Sequence, residues 1–372
     1  MNVASTRSNF MKVAPLLEEY KNHQEIEAQL LHTGQHYDYE MSKIFFDELG
    51  IPAPDHHLGV GSGSHAVQTA KVMTEFEQVL EEEQPDWVVV VGDVNPTMAC
   101  TIVANKMGIK VAHVEAGLRS YDREMPEEIN RVLTDSIADL LLTPSIDGNM
   151  NLKKEGIPDA KIRFVGNIMI DTLFNMRERS GESTILSDLG LDARKYGLVT
   201  LHRPSNVDQE ETLNNFVDIL EETASDIPLV WPVHPRSKNR AEQFELWERL
   251  ESIANLHLLE PVGYLDNVNL MNNARLVLTD SGGIQEETTA LGVPCLTARE
   301  NTERPITITE GTNTLVGTDP KVILDHIEKH LQNGVAGQKD LPKPLYWDGH
   351  TAERIVEAIM NWEFSIRVLK KA

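Results

Sequence analysis

Short apolar segments rich in valine and leucine alternate with helical patterns along the whole chain. The run Trp87–Val91 is strand-sized and is followed by a helical segment, and Leu276–Thr279 repeats this arrangement in the second half. Parallel strands need a crossover connection, usually a helix, so the alternation predicts parallel sheets with helices on both faces. The chain has 372 residues, more than a domain with a single hydrophobic core usually contains. The predicted fold class is therefore α/β with two Rossmann-like domains.

The alternation restarts in the second half of the chain, which indicates where the first domain ends. Strands are predicted at residues 27–31, 87–91, 110–114, 140–143 and 163–165, and after the restart at 198–201, 229–232, 256–259, 276–279, 295–297 and 314–316. The segment 167–196 contains Ser180-Gly181-Glu182-Ser183, which has the composition of an exposed linker turn. We interpret this segment as the seam and predict domains at residues 1–168 and 169–349.

The charge balance excludes some classes of partner. Lys and Arg total 34 against 58 Asp and Glu, which gives a net charge of −24. Nucleic acids and anionic membranes both require a basic surface, so neither is a predicted partner. The apolar runs are too short to span a bilayer and no secretory signal pattern is present, which predicts a cytoplasmic protein. The two cysteines, Cys100 and Cys295, are predicted to be buried free thiols.

Polar residues follow the predicted strands at the point where each strand ends. These residues are Asp93, His113 with Glu115, His202 with Arg203, His234, and Asp280 with the segment Ser281-Gly282-Gly283. Open parallel sheets bind ligands just beyond the carboxyl ends of their strands. Because both halves contribute such residues, we expect one ligand cleft between the domains, lined with acids, bases and phosphate-binding groups.

The segment Ser281-Gly282-Gly283 has the pattern of a phosphate-binding site. A predicted strand runs into two glycines and then a helix, so backbone N–H groups and the helix N-terminus would face a ligand. The alternative is a capped helix start without a ligand. Candidates for balancing the charge of a diphosphate are Arg7, Lys12, His202 and Arg304.

Three carboxylates are candidates for proton transfer, namely Asp93, Glu115 and Glu127. A carboxylate held in a cleft can act as a general acid or base. The alternatives are a structural turn for Asp93 and, for Glu127 after Pro126, an interaction with the dipole of a helix N-terminus.

Two other patterns are rejected. Gly59-x-Gly61-x-Gly63 lacks the last glycine of a dinucleotide-binding loop. His113-x-Glu115 lacks the partnering Pro-Cys-x-x-Cys of zinc deaminases, and His56-His57 lacks a clear third ligand. No metal site is predicted.

Taken together, the motifs resemble those of the non-hydrolysing UDP-N-acetylglucosamine 2-epimerases, a family with the two-domain GT-B fold. The matching segments are Thr6-Arg7 through Lys12-Val13-Ala14-Pro15, His32-Thr33-Gly34-Gln35-His36, Gly92-Asp93, His113-Val114-Glu115-Ala116-Gly117-Leu118-Arg119, Pro126-Glu127-Glu128-Ile129-Asn130-Arg131, Gly166-Asn167, Thr200-Leu201-His202-Arg203, Thr279 through Glu287, Thr302-Glu303-Arg304-Pro305 and Gly311-Thr312. They cover nearly the whole chain in the order of the family.

The resemblance implies reversible inversion at C2 of UDP-N-acetylglucosamine (UDP-GlcNAc), which gives UDP-N-acetylmannosamine (UDP-ManNAc) without a cofactor. In such enzymes the C2 proton is removed and UDP departs, which leaves 2-acetamidoglucal. Reprotonation on the opposite face and return of UDP then give the epimer. The family also implies a homodimer, a role in cell-surface polysaccharide biosynthesis, and a C-terminal helix within residues 350–372 that packs back on the first domain.

Residue roles follow from the same resemblance by motif position. The acid/base set would be Asp93, Glu115 and Glu127, and His202 would lie beside the leaving diphosphate. Phosphates would be bound by Arg7, Ser281 and Gly282, the ribose hydroxyls by Glu287, and the sugar-phosphate region by Arg131 and Arg304. The predicted substrate-binding set is completed by Lys12, His234 and Gly283. Which carboxylate removes the C2 proton stays open. Gln35, His36 and His234 match positions that form a second, activating UDP-GlcNAc site in some bacterial members, whereas Tyr37 departs from those members.

Two features depart from the family. The family usually reads Gly-Thr-Arg-Pro after the first strand, whereas this chain has Ser5-Thr6-Arg7-Ser8. Losing the glycine is expected to hinder close approach of the backbone to a diphosphate, and losing the proline loosens the turn. The first strand should also be longer than Met1 to Ala4 and central in its sheet, so we expect its neighbours to be partly unpaired. A misplaced start or a truncated chain is our hypothesis for this feature.

Three other functions stay open. The stretch from His32 through Gly50 resembles 2-epimerases of UDP-2,3-diacetamido-2,3-dideoxyglucuronate, while Thr302-Glu303-Arg304-Pro305 favours the UDP-GlcNAc enzymes. A GT-B glycosyltransferase would share the fold and release UDP only in the presence of an acceptor. An inactive UDP-sugar-binding protein would bind UDP-GlcNAc and leave its C2 proton in place.

Overall fold

The computed structural model describes residues 1–34, 46, 48–61, 63–332 and 343–362 of the chain. The protein consists of two compact units, Met1–Thr172 together with Leu345–Ala372, and Leu173–Pro344. No helix within the described ranges combines the length and the apolar character that a membrane span requires.

Strands and helices alternate in both units. The strands are β1 (Asn2–Ala4), β2 (Leu30–His32), β3 (His56–His57), β4 (Trp87–Val91), β5 (Lys110–Val114), β6 (Leu140–Thr143), β7 (Ile162–Phe164), β8 (Gly197–Thr200), β9 (Leu229–Pro232), β10 (Leu256–Leu259), β11 (Leu276–Thr279), β12 (Cys295–Thr297) and β13 (Asn313–Leu315). The helices are α1 (Arg7–Tyr20), α2 (His65–Glu83), α3 (Asn95–Lys106), α4 (Pro126–Ile137), α5 (Ile146–Lys154), α6 (Ile168–Arg179), α7 (Ile185–Asp188), α8 (Pro204–Val207), α9 (Glu210–Asp226), α10 (Pro235–Gln243), α11 (Trp247–Ser252), α12 (Tyr264–Asn273), α13 (Gly282–Leu291), α14 (Ile306–Thr309), α15 (Pro320–Gln332) and α16 (Thr351–Met360).

Each unit contains one parallel sheet whose strand order reverses once. The first sheet has the order β3-β2-β1-β4-β5-β6-β7 and the second has the order β10-β9-β8-β11-β12-β13. All strand pairs in the two sheets run parallel. The order reverses between β1 and β4 and between β8 and β11, and doubly wound sheets bind ligands at such positions, beyond the carboxyl ends of the strands. The predicted α/β class with parallel sheets is confirmed.

Helices cover both faces of the first sheet, so its strands are apolar on both sides. Successive side chains of a strand point to opposite faces. In β4, Val88 and Val90 accordingly pack in one core cluster with Phe76 of α2, whereas Val89 packs in another with Phe10 of α1. A strand buried on both faces reads as a continuous apolar run, and for this reason the predicted bounds of β4 match the structure.

Both cysteines lie in the interior of their units. Cys100 and Cys295 are free thiols and both are buried, as predicted. Burial raises the pKa of Cys295 to about 11 and raises that of Cys100 further. Neither thiol therefore ionises readily at neutral pH.

Some local predictions differ from the structure. The strand predicted at 27–31 is Leu30–His32, and the two-residue strand His56–His57 was not predicted because so short a segment shows no periodicity. Much of the predicted seam is helix α6, followed by a 3₁₀ turn over Ser180–Glu182. Gly181 and Glu182 of this turn are exposed, as predicted, whereas Ser180 is buried and its carbonyl accepts a hydrogen bond from Asn269 Nδ2 at 2.6 Å.

The short strand β1 lies in the middle of the first sheet. All three of its residues pair with Leu30–His32 on one side, whereas only Asn2 and Val3 pair with Val89 and Val90 on the other. The amino group of Met1 donates a hydrogen bond to the carbonyl of Trp87 at 2.8 Å. Burial lowers the pKa of this amino group to about 6.

The returning segment before α16 packs closely on the first unit. The carboxylate of Asp171 accepts a hydrogen bond from the backbone N–H of Ala352 at 2.7 Å, which satisfies a donor in the first turn of α16. Gly166, with φ of +95°, approaches Tyr346 so closely that an added Cβ would lie 2.1 Å from the Tyr346 carbonyl oxygen. Only glycine fits this contact.

The close approach at Gly166 is tested by comparing two glycines with similar φ. Gly156 has φ of +83° and open space where a Cβ would lie. We expect Gly156→Ala to lower the free energy of unfolding by about 1–2 kcal/mol, which is the cost of placing alanine in the left-handed backbone conformation. Gly166→Ala should lower it by about 3 kcal/mol or more, because overpacking adds to that cost. Urea denaturation of both variants measures the difference, and equal losses would contradict the contact with Tyr346.

Candidate active site

At the switch point of the first sheet, Glu115 and Lys12 form a buried ion pair. Glu115 follows β5, and Lys12 reaches it from α1 so that Nζ donates to the carboxylate Oε2. Glu115 has φ of +76°, a left-handed conformation that costs free energy for any residue other than glycine. Such conformations cluster at functional sites, where the surrounding structure holds them in place.

A second carboxylate, Asp93, pairs with Arg131 next to this site. Asp93 follows β4, and its Oδ2 accepts hydrogen bonds from Nη2 and Nε of Arg131 at 2.6 and 3.0 Å. Arg131 is buried on α4 and also donates to Glu128 at 2.7 Å. The Asp93 carbonyl accepts a hydrogen bond from Asn130 Nδ2 at 2.9 Å. Helix α4 therefore fixes both the side chain and the backbone of Asp93.

Glu127 lies in the first turn of α4 and is half-buried. Residues four apart share one face of a helix, so Glu127 lies on the face that carries Arg131. The structure therefore places Glu127 on the same helix surface as the partner of Asp93, and it brings Asp93, Arg131, Glu115 and Lys12 to neighbouring strand ends of one sheet.

The segment after β1 is held by Asn9. The Oδ1 atom of Asn9 accepts hydrogen bonds from the Ser5 hydroxyl at 2.6 Å and from the backbone N–H groups of Ser5 and Thr6 at 3.2 Å. Its Nδ2 atom donates to the Val91 carbonyl at 3.1 Å. Ser5, which stands where the family usually has glycine, is buried and is not among the residues with positive φ. The serine therefore adds a hydrogen bond to the turn without backbone strain.

At the switch point of the second sheet, Asp280 holds His202. The buried carboxylate of Asp280 follows β11, and its Oδ1 lies 2.9 Å from Nδ1 of His202, which follows β8. Asp280 also accepts hydrogen bonds from the backbone N–H groups of His202 and Arg203, at 2.9 and 2.8 Å, and from Nδ2 of Asn206, at 3.1 Å. Burial alone would raise the pKa of Asp280, but His202 and these N–H donors lower it, and the net pKa lies below its usual value.

The N-terminus of α13 has the geometry of an anion site. Ser281 is the N-cap residue, and Gly282 and Gly283 are the first residues of the helix. A Cβ added to Gly282 would lie 2.6 Å from Nη1 of Arg304, whereas the same position on Gly283 is open. Glycines at this place let a ligand approach the N–H groups of the first turn.

Arg304 lies against Gly282 within a cluster of compensated charges. Its Nε is 2.9 Å from Glu286, and its Nη1 donates to Glu303. Arg299 also contacts Glu303, at 2.9 Å. The two arginines and two glutamates are all buried. The charge that Arg304 offers to a diphosphate is thus partly balanced by protein carboxylates.

Glu287 is buried on the same helix and accepts a hydrogen bond from the hydroxyl of Tyr264 at 2.6 Å. Burial raises the pKa of Glu287 to about 7; the nearby Glu286 also raises it, while Tyr264 lowers it. The carboxyl group therefore changes its charge near neutral pH.

Other predicted residues have a different status. His234 is the N-cap of α10, its Nδ1 accepts the backbone N–H of Arg236 at 3.1 Å, and its ring centroid is 5.4 Å from that of His202. Gln35, His36 and the side chain of Arg7 lie outside the described part of the chain.

Several residues that support the candidate site were not predicted as members of it. Asp280 was named among the polar residues that follow an apolar strand, but it was assigned no role in the site. Asn9 and Tyr264 gave no signal, because they lie on helices and not directly after a predicted strand. Asp135 belongs to a further buried network with His113 and Arg119.

Comparisons with known proteins agree with this geometry. A family model described as UDP-N-acetylglucosamine 2-epimerase matches residues 18–360. The UDP-N-acetylglucosamine 2-epimerase of Methanocaldococcus jannaschii is 43% identical over 363 residues, which cover 96% of this chain and 97% of that protein. The UDP-2,3-diacetamido-2,3-dideoxy-D-glucuronate 2-epimerase of Pseudomonas aeruginosa is 38% identical over 361 residues, which cover 96% of this chain and 98% of that protein.

A solved structure also matches. The crystal structure of the Methanocaldococcus jannaschii UDP-GlcNAc 2-epimerase in complex with UDP-GlcNAc and UDP has a TM-score of 0.88 and 41% sequence identity, and the match covers 96% of this chain and 98% of that one. The predicted resemblance and the predicted two-domain GT-B fold class are confirmed. The chain belongs to the UDP-N-acetylglucosamine 2-epimerase family.

Proposed function

We propose that this protein interconverts UDP-GlcNAc and UDP-ManNAc by elimination and re-addition of UDP. The observation that carries the proposal is the pair of carboxylates, Asp93 and Glu115, at the ends of neighbouring strands β4 and β5. Each carboxylate lies against a buried cation, Arg131 or Lys12. Carboxylates at these positions can exchange the proton that inversion at C2 requires.

The proposed reaction balances without an oxidant or reductant. A carboxylate removes the C2 proton, the electron pair forms the C1–C2 double bond, and the C1–O bond breaks so that UDP leaves with its pair. UDP then adds back to C1 while a proton is delivered to the opposite face of C2. Inversion therefore needs acid/base groups, for which Asp93, Glu115 and Glu127 are the candidates. Which of the three removes the proton stays open.

The second unit supplies groups for the leaving diphosphate. Nδ1 of His202 is in contact with the carboxylate of Asp280, so Nε2 is the ring nitrogen that can contact a ligand. An N–H donor held in this orientation can stabilise a departing phosphate. The N-terminus of α13 offers the backbone N–H groups of its first turn to the same charge. Ser281, Gly282 and Gly283 are the residues proposed there, with Arg304 beside them and Arg7 added by motif position.

Glu287 is proposed to bind the ribose. Its carboxylate lies one turn into α13, beyond the proposed phosphate position, and it is buried with Tyr264 as a hydrogen-bond partner. Ribose hydroxyl groups would donate to the carboxylate, and hydrogen bonds to the charged form lower the pKa of an acid. Binding of the nucleotide should therefore shift Glu287 toward its ionised form.

A second substrate is favoured by one observation, namely the 38% identity to the diacetamido-glucuronate 2-epimerase. That substrate would undergo the same elimination at C2. Assembly as a homodimer and a role in cell-surface polysaccharide synthesis stay predictions of the family resemblance. A cytoplasmic location stays a prediction of the sequence.

The reaction is tested by incubating the protein with UDP-GlcNAc in deuterated water and following C2 by NMR. We expect deuterium at C2 and the appearance of UDP-ManNAc without free N-acetylmannosamine. Exchange with the diacetamido-glucuronate substrate alone would reassign the substrate. UDP release only on addition of a sugar acceptor would indicate a glycosyltransferase, and bound UDP-GlcNAc without exchange would contradict an enzymatic role.

The acid/base roles are tested by removing each negative charge at nearly constant shape. Asp93→Asn, Glu115→Gln and Glu127→Gln should each slow C2 exchange by about 100-fold or more, the range typical of general acid/base groups. Glu124→Gln is the control, because Glu124 is an exposed carboxylate just before α4 and should keep the full rate. If a variant exchanges the C2 proton as fast as the unaltered protein, the substituted residue is not one of the acid/base groups.

The role of Glu287 predicts a release of protons when UDP binds near pH 7. With a pKa of about 7, the unliganded carboxyl group is about half protonated at this pH and should lose up to roughly half a proton on binding. Affinity for UDP should rise as the pH increases through 7, because the ligand prefers the ionised form. Calorimetry in two buffers of different ionisation enthalpy measures the released protons. Equal proton release by Glu287→Gln would contradict the assignment.

A further inference from the structure

The side chain of His113 lies between two hydrogen-bond acceptors in the interior of the first unit. Its Nδ1 is 2.6 Å from Oδ1 of Asp135, and its Nε2 is 2.8 Å from the carbonyl oxygen of Gly92. The side chains of His113 and Asp135 are fully buried. A carbonyl oxygen cannot donate, so Nε2 must carry a proton to satisfy it.

The other nitrogen also faces an acceptor, because Asp135 is surrounded by donors. Its Oδ2 accepts the backbone N–H of Gly117 at 3.0 Å and lies 2.8 Å from Nη2 of Arg119. Burial alone would raise the pKa of Asp135, but His113 and Arg119 lower it, and the net pKa lies below its usual value. Independently of His113, the cation Arg119 and the N–H of Gly117 favour the charged carboxylate. A carboxylate can only accept, so Nδ1 of His113 carries a proton as well as Nε2.

The charges around His113 balance when the ring is cationic. Helix α4 contributes Asp135, the loop after β5 contributes Arg119, and the end of α5 contributes Glu155, which receives two hydrogen bonds from Arg119 at 2.8 Å. Two cations thus face two carboxylates. Buried charges are tolerated when they are paired in this way.

The network ties together the two turns that carry the proposed acid/base groups. The His113 ring holds the carbonyl of Gly92, which has φ of +69° and directly precedes Asp93. Asp135 holds the N–H of Gly117, two residues after Glu115 with its left-handed backbone.

We propose that His113 is held as an imidazolium and, with Asp135, is a positioning residue that fixes the turns of Asp93 and Glu115. The proposal rests on the function proposed above for these two carboxylates. Helix α4 then positions Asp93 twice, directly through Arg131 and indirectly through Asp135 and His113. A small displacement of acid/base groups slows a reaction strongly even when binding is unchanged.

The protonation state is tested on the unaltered protein. We expect both side-chain nitrogens of His113 to give ¹⁵N NMR shifts of protonated nitrogens from pH 6 to pH 8.5, with the signals assigned by their loss in His113→Gln. A non-protonated nitrogen within this range would overturn the proposal. This measurement needs no substrate, so its outcome is independent of whether UDP-GlcNAc is epimerised.

Two substitutions of His113 test the positioning role, because each places an amide nitrogen where one of the two ring nitrogens lies. The amide nitrogen of Gln lies near the position of Nε2 and can still donate to Gly92, whereas that of Asn lies near Nδ1 and can donate only to Asp135. We expect His113→Asn to lower kcat for C2 exchange roughly ten- to a hundredfold, with KM for UDP-GlcNAc within about twofold. His113→Gln should retain most of kcat.

Thermal unfolding of both variants separates positioning from stability. Equal losses of kcat in the two variants, or losses that follow their melting temperatures, would overturn the positioning role. If the unaltered protein shows no C2 exchange, the proposed function fails while the NMR result still decides the state of His113.

Discussion

Parallel pairing of the strands is the constraint on which the rest of this protein depends. A parallel strand cannot follow its neighbour directly, so each connection crosses a face of the sheet, usually as a helix. All carboxyl ends of a sheet then lie at one edge. In the first unit this edge carries Asp93 after β4 and Glu115 after β5, and in the second it carries His202 after β8 and Asp280 after β11. The strand order reverses between β1 and β4 and between β8 and β11, which opens the space where polar side chains meet a ligand.

Charged groups at these edges are paired, and most of them are buried. An isolated carboxylate in the interior is too costly to remain ionised, whereas a carboxylate with a cation and hydrogen-bond donors keeps its charge. Glu115 has Lys12, Asp93 has Arg131, Asp135 has His113 and Arg119, and Asp280 has His202. Glu287 differs, because its nearest partner is the neutral hydroxyl of Tyr264, and its pKa rises to about 7. Two acid/base candidates of the first unit, Asp93 and Glu115, are thus in contact with a cation, whereas Glu287 of the second unit titrates near neutrality.

The sequence predicted the parts of the fold that depend on continuous local patterns. The bounds of β4, β5, β6, β9, β10, β11 and β12 agree with prediction. For β4, β6 and β11 the reason is that strands buried on both faces are nearly continuous apolar runs. The strand β3 and the extent of α6 were missed, because two residues show no periodicity and a polar turn resembles a linker whether or not it is buried. Candidate side chains were found where an apolar strand precedes them, as with Asp93 and Asp280. The supporting residues Asn9, Tyr264 and Asp135 were not found, because they lie on helices and only packing brings them to their contacts.

By itself, the sequence determined the α/β class, the parallel sheets, the strand ends that carry chemistry and, through its motifs, the family. Those properties follow from local periodicity and from residue order, which are present in the chain before it folds. The tertiary structure alone decided which charges pair, since Lys12 and Glu115 are 103 residues apart in sequence. It also decided that Ser5 bonds to Asn9 and that His113 lies between two acceptors. Such contacts depend on distances of a few ångströms between packed elements, and no pattern along the chain encodes them.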